Sequence, residues 1–142
     1  MYFHQLTAAC TTLTALALSV APAAPAHTAV ATDISRTTPY GRLSATAYWQ
    51  SRGSLTIPTS SLSDTCGDGD RSYWQIEWNP GTSNQGRSGK RYADECDTTT
   101  WTDPTHVSAT SIRSIDVRVC QYRWWHLDEC DRVTYHNPYH AH

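Results

Sequence analysis

A chain of 142 residues leaves room for one small domain with one core once a leader is set aside. Lys and Arg total 11 against 13 Asp and Glu, and no basic block occurs. That balance argues against nucleic acid or an anionic membrane as the main partner.

Met1-Tyr2-Phe3-His4-Gln5, an apolar run from Leu6 to Val20, and Ala21-Pro22-Ala23-Ala24-Pro25-Ala26 together resemble a secretory signal peptide. Cleavage after Ala26 fits, and Ala29-Val30-Ala31 is a later candidate. The n-region departs from the usual pattern, holding His4 but no Lys or Arg. The run is shorter than the ~20 apolar residues that a membrane span needs. The expected organisation is a leader over 1–26, a flexible N-terminal arm over 27–41, and one domain over 42–142. The mature part keeps all 6 Trp but no Met or Phe, a β-rich palette.

The arm ends in Thr38-Pro39-Tyr40-Gly41. Leu43, Ala45, Ala47 and Trp49 alternate with polar neighbours, a period-two strand. Ser54 to Ile57 is a short strand stopped by Pro58. Ser60 to Asp70 is turn-rich. Its aspartates near glycines raise calcium binding, but the EF-hand spacing fails at Cys66, and an Asp-Gly turn explains it better. Ser72 to Trp78 is the clearest strand, with Trp74, Ile76 and Trp78 on one face and Tyr73, Gln75 and Glu77 on the other. Asn79 to Arg91 reads as a long mobile loop.

Residues 94–106 are echoed without a gap at 128–140, with identity at 7 of 13 positions. Each copy runs Asp-Glu-Cys-Asp, then a Thr and an aromatic, then Asp or Asn before Pro. The expected unit is an acidic turn, a cysteine anchor, a short strand and a proline stop, used twice. Ile115, Val117 and Val119 share one parity, as do Val133 and Tyr135. If Cys120 faces Cys130 in an antiparallel hairpin, Val117 meets Val133 and Ile115 meets Tyr135. Arg118 then opposes Arg132 unless Asp116 or solvent relieves it.

Four mature cysteines in a short exported chain read as two disulfides. The preferred pairing is Cys66–Cys96 with Cys120–Cys130, which ties each repeat copy to an upstream cysteine. No segment sustains a 3.6-residue period. The expected fold class is all-β: a small antiparallel β-sandwich, jelly-roll or Greek-key like, with two disulfides.

The most function-like feature is the loop between the last strands, which displays Tyr122, Trp124, Trp125 and His126. Exposed aromatics at a loop tip stack on sugars or anchor protein interfaces. Pro39 and Tyr40 of the arm join them as candidate binding residues. Tyr48 and Tyr73 are further candidates if the ligand is a sugar. A hydrolase would need Glu77 with a second carboxylate among Asp68, Asp94 and Asp116, or Glu77 with Arg118 and His106. His136, His140 and His142 raise a tail metal site, though a solvated terminus explains them better. Neither cofactor nor metal is expected, and no catalytic residue is assigned.

Ser114-Ile115-Asp116-Val117-Arg118-Val119-Cys120, then Cys130 and Asn137-Pro138-Tyr139, resemble the small secreted β-sandwich adaptor of the actinobacterial umbrella toxin particles. That resemblance covers roughly the last thirty residues. It implies a subunit that links a lectin-like protein to a large toxin-bearing one, an arm suited to insertion into a partner, and no active site. The expected function is a secreted, non-catalytic adaptor or structural subunit of an exported complex. A carbohydrate-binding module and a small secreted hydrolase are the alternatives.

Overall fold

The computed structural model describes residues 28–66 and 70–140. The expected leader, the turn at Asp68 and the terminal His142 lie outside the described residues. Every regular element among the described residues is a strand. The first five are β1 (Val30–Thr38), β2 (Gly41–Ser51), β3 (Ser54–Ile57), β4 (Ser60–Asp64) and β5 (Ser72–Trp78). Then come β6 (Gly86–Arg87), β7 (Arg91–Tyr92), β8 (Thr98–Trp101), β9 (Thr105–Ser108), β10 (Ser114–Gln121) and β11 (Glu129–His136).

Two antiparallel sheets result. In the first, β1 flanks β2, and β2 pairs on its other side with β3 and β4 end to end. Those two pair in turn with β9 and β8. Pro58 falls between β3 and β4, and Pro104 between β8 and β9. Proline has no N–H for the ladder, so each line of strand breaks there. The second sheet runs β11, β10, β5, with β6 and β7 sharing the far edge of β5. The chain leaves the first sheet after β4 and returns to lie beside it as β8, a Greek-key-like return.

The inner faces meet as period-two alternation dictates. Leu43, Ala47, Trp49, Leu55, Ile57 and Leu62 of the first sheet face Trp74, Ile76, Ile115, Val117 and Val119 of the second, each at most 1% exposed. Burying one such large side chain contributes about 1.5–3 kcal/mol. The β10–β11 register is the expected one: Ile115 opposite Tyr135, Val117 opposite Val133, Cys120 opposite Cys130. Cys120 and Cys130 are disulfide-bonded across the two strands. Arg118 does oppose Arg132. Arg132 leans to Asp116 at 3.7 Å, and Arg118 leans to Glu77 at 3.5 Å.

Three expectations are corrected. The arm expected at 27–41 is not free over Val30–Thr38. Most of it is β1, paired with β2 from Val30–Trp49 to Thr38–Gly41. Ile34 enters the core, and Arg36 reaches Asp131 of β11 at 2.9 Å, so the sandwich starts at β1 and not at residue 42. The stretch 79–91, expected as a mobile loop, opens with a turn and then runs along the edge of the second sheet as β6 and the start of β7. Ser88 takes the place of a strand residue there, accepting from Ile76 N with its hydroxyl and donating from its own N to Ile76 O. Gly86 permits the close approach, since a Cβ there would fall 2.2 Å from the Trp78 ring. The two repeat copies are not one structure used twice. Cys96 sits at φ 59 in a turn before β8, whereas Cys130 lies inside β11, and the two strands belong to different sheets. What they share is the strand end just before Asp103-Pro104 and Asn137-Pro138.

Candidate functional site

One end of the sandwich gathers the expected binding residues. The β1–β2 turn carries Pro39 and Tyr40, and the Tyr40 hydroxyl donates to Glu129 Oε2 at 3.5 Å. Glu129 opens β11, so this turn lies beside the β10–β11 loop that bears Tyr122, Trp124, Trp125 and His126.

The base of that loop is held by many polar contacts. Tyr122 N donates to Arg71 O at 2.8 Å. Arg123 donates to Glu129 Oε1 at 2.9 Å and to Gln121 Oε1 at 3.0 Å. Asp128 accepts from the Tyr73 hydroxyl at 2.7 Å and from Lys90 Nζ at 2.7 Å. Burial pushes the Asp128 carboxyl up, but the Lys90 and Tyr73 hydrogen bonds outweigh it and hold it below the usual carboxylate range. A lowered folded value stabilises above the ordinary carboxylate range, and that stabilisation is lost as pH falls through the folded value. Denaturant unfolding should therefore show the stability gap between the parent chain and Asp128→Asn narrowing from neutral pH to about pH 3.

The tip of the loop is bare. Trp124 is 76% exposed, Trp125 54% and Leu127 92%. The two indoles touch edge to face, with centroids 4.8 Å apart at 90°. Below them Tyr122 meets Tyr92 edge-on at 5.8 Å, and Tyr92 meets Tyr73 at 5.3 Å. Lys90 stands 4.3 Å over the Tyr73 ring, and Arg71 stands over Tyr92. Tyr92, Lys90 and Arg71 escape a reading by sequence motif. Only the folded chain brings them in, the β5–β7 pairing setting Tyr92 opposite Tyr73.

Asp64 ties the neighbouring loops together. Its carboxylate accepts from Ser72 N and from Cys96 N, each at 3.1 Å, and from the Ser72 hydroxyl. Cys66 and Cys96, the expected second pair, meet beside it as two exposed thiols. Both lie in connections outside the strands, so no ladder fixes their approach. The hydrogen bond with Cys96 is the largest cause that pushes the Cys66 thiol up to about 11.

Of the hydrolase residues, Glu77, Asp116 and Arg118 come together on the second sheet, and His106 stands apart. Glu77 and Asp116 are direct cross-strand partners on the outer face of the second sheet. Both are buried, because Arg87 and Arg118 cover Glu77 while Arg132 and Thr134 cover Asp116. His106 lies on the other sheet and contacts Thr56 Oγ1 at 3.0 Å. Glu77 therefore holds arginines in place. Glu77→Gln should cost about 1–2 kcal/mol, read as a lower Tm, because Arg118 loses its charged partner. His140 contacts Ser111 and the Arg52 carbonyl, each at 3.3 Å. No group of three His, Cys, Asp or Glu suited to a metal occurs among the described residues.

Scans against protein-family models, curated proteins and solved structures each returned no match for this chain.

Proposed function

We propose that this chain is a secreted, non-catalytic adaptor that docks a protein partner through the Trp124–Trp125 loop. The observation that carries this reading is a bare aromatic tip on an immobilised base. Exposed aromatics on a preorganised support are the usual anchors of protein interfaces, because little side-chain freedom is lost on docking. Tyr122, Tyr40 and Pro39 extend the same end and supply its rim.

The geometry favours protein over polysaccharide. The two indoles stand perpendicular, so together they form no extended flat platform for a polysaccharide chain. Tyr73 is only 3% exposed, and Tyr48 lies on β2 opposite Ala31, far along the strand from the tip.

Export also bears on the thiol pair. In an oxidising compartment Cys66 and Cys96 are placed to close into a second disulfide. Intact mass of the natively exported protein, without reductant, should show the deficit of two disulfides. A deficit of one would leave Cys66 and Cys96 reduced and remove this support for export.

The adaptor reading is tested by capture. Tagged chain added to the producing organism's culture fluid should retain one secreted protein in stoichiometric amount. Elution of the chain alone would count against the adaptor.

A further inference from the structure

We propose that the cleft between the open edges of the two sheets is a binding site for a small neutral sugar, beside the base of the aromatic tip, with which it shares Lys90 and Tyr92. Two strand breaks create it. Gly89 and Lys90 interrupt the β6–β7 line after Ser88, and Thr102-Asp103-Pro104 interrupts the β8–β9 line. A cleft of about 450 Å³ opens between them, with Lys90, Arg91 and Tyr92 on one wall and Trp101, Asp103 and His106 on the other. That volume lies within the range of small-molecule sites, about 300–1,000 Å³.

The lining selects the class of ligand. No Leu, Ile or Val borders the cleft, which disfavours an acyl chain or other apolar guest. The charges are already matched. Arg91 grips Asp103 with two parallel hydrogen bonds, Nη1 to Oδ1 at 3.0 Å and Nη2 to Oδ2 at 2.8 Å, and Nε donates to Thr105 Oγ1 at 3.1 Å. Lys90 is spent on Asp128 at 2.7 Å. A charged ligand would have to break one of these pairs, at the cost of leaving its partner uncompensated.

A polyol breaks none of them. The Asp103 carboxylate is 73% exposed yet fixed in orientation, and each oxygen keeps a lone pair for a sugar hydroxyl. Trp101 and Tyr92 border the cleft, with Arg91 over the Trp101 ring at 5.8 Å and Arg71 over the Tyr92 ring at 5.6 Å, and leave a small apolar margin for the C–H groups of a pyranose. Fixed acceptors beside aromatic rings, with no net charge to satisfy, describe a site for a neutral saccharide.

The test is saturation-transfer NMR on the purified chain with glucose, galactose, mannose and N-acetylglucosamine, each at millimolar concentration. Asp103→Ala removes the acceptor. Gly89→Arg fills the cleft, since a Cβ at Gly89 meets no atom within 4 Å and the fold has room for the change. Transfer to the ring protons of at least one sugar is expected, abolished by either cleft variant and retained in Trp124→Ala. No transfer to any of the four, transfer that survives both cleft variants, or loss in Trp124→Ala would each overturn the proposal.

Discussion

Trp124→Ala combined with Trp125→Ala should weaken capture of the protein partner about a hundredfold or more while leaving Tm unchanged. A tryptophan anchor at the centre of an interface is worth about 2 kcal/mol or more, and each 1.4 kcal/mol is tenfold in affinity. The two losses will not simply add, because the rings touch each other. Stability should hold because the tip is solvated, and the fold leans on the loop base through Tyr122, Arg123 and Asp128. Titration of captured partner against the double variant, beside a thermal melt, checks both halves. A fall in Tm that matches the fall in binding would instead make the indoles structural.

The largest stability effect belongs at the opposite end, at Asn137. Its side chain is fully buried. Nδ2 donates to Ile112 O at 2.8 Å and Ser51 O at 3.1 Å, and Oδ1 accepts from Tyr139 N at 2.9 Å. One amide thereby pins the β2–β3 turn, the β9–β10 connection and the segment after β11. Asn137→Ala leaves the Ile112 carbonyl without its buried partner, at about 1–3 kcal/mol, and loses the part-buried bonds to Ser51 O and Tyr139 N, at about 1 kcal/mol each. A total near 3 kcal/mol should lower Tm by roughly 10 °C for a domain of this size. Asn137→Asp gives the sharper check, because a carboxylate cannot donate to the Ile112 and Ser51 carbonyls. Equal melting of parent and Asn137→Ala would show that the three segments are held by something else.

The strands that could be read from sequence are those with one apolar face and a clear stop. Leu43 to Trp49, Ser54 to Ile57 and Ser72 to Trp78 alternate cleanly, and the pairing of Cys120 with Cys130 fixes a register that only one alignment of Val117 and Val133 satisfies. β1 was hidden because Ser, Thr and Ala dominate it and a single residue, Ile34, reaches the core. The 79–91 stretch was hidden for another reason. Its place in the sheet depends on Ser88 bonding to Ile76 and on Asn79, whose side chain binds Ser111 O and Arg113 N. Side chain to backbone bonds across 12 to 34 residues leave no periodic trace. Glu77 misled for a third reason, since alternation marks it as outward but says nothing of the arginines that cover it.

The candidate site was legible in part. Adjacent tryptophans in a strand-to-strand loop already pointed to exposure, and the tip residues are indeed bare. Tyr40 joining them through Glu129 spans 89 residues and becomes visible only in the folded chain. The sugar cleft is made by two gaps in facing strand edges, which no single stretch of sequence displays.

The most direct measurement is photo-crosslinking from the tip itself. A benzophenone side chain replaces Leu127, which is 92% exposed and follows Trp125 by two residues in the same loop. A second chain carries it at Thr100, on the outer face of the first sheet, as the control. Both are irradiated in the producing organism's culture fluid. Docking through the tip predicts one discrete protein adduct from position 127 and none from position 100. Equal labelling from both positions, or none from either, would contradict a protein-binding role for this loop.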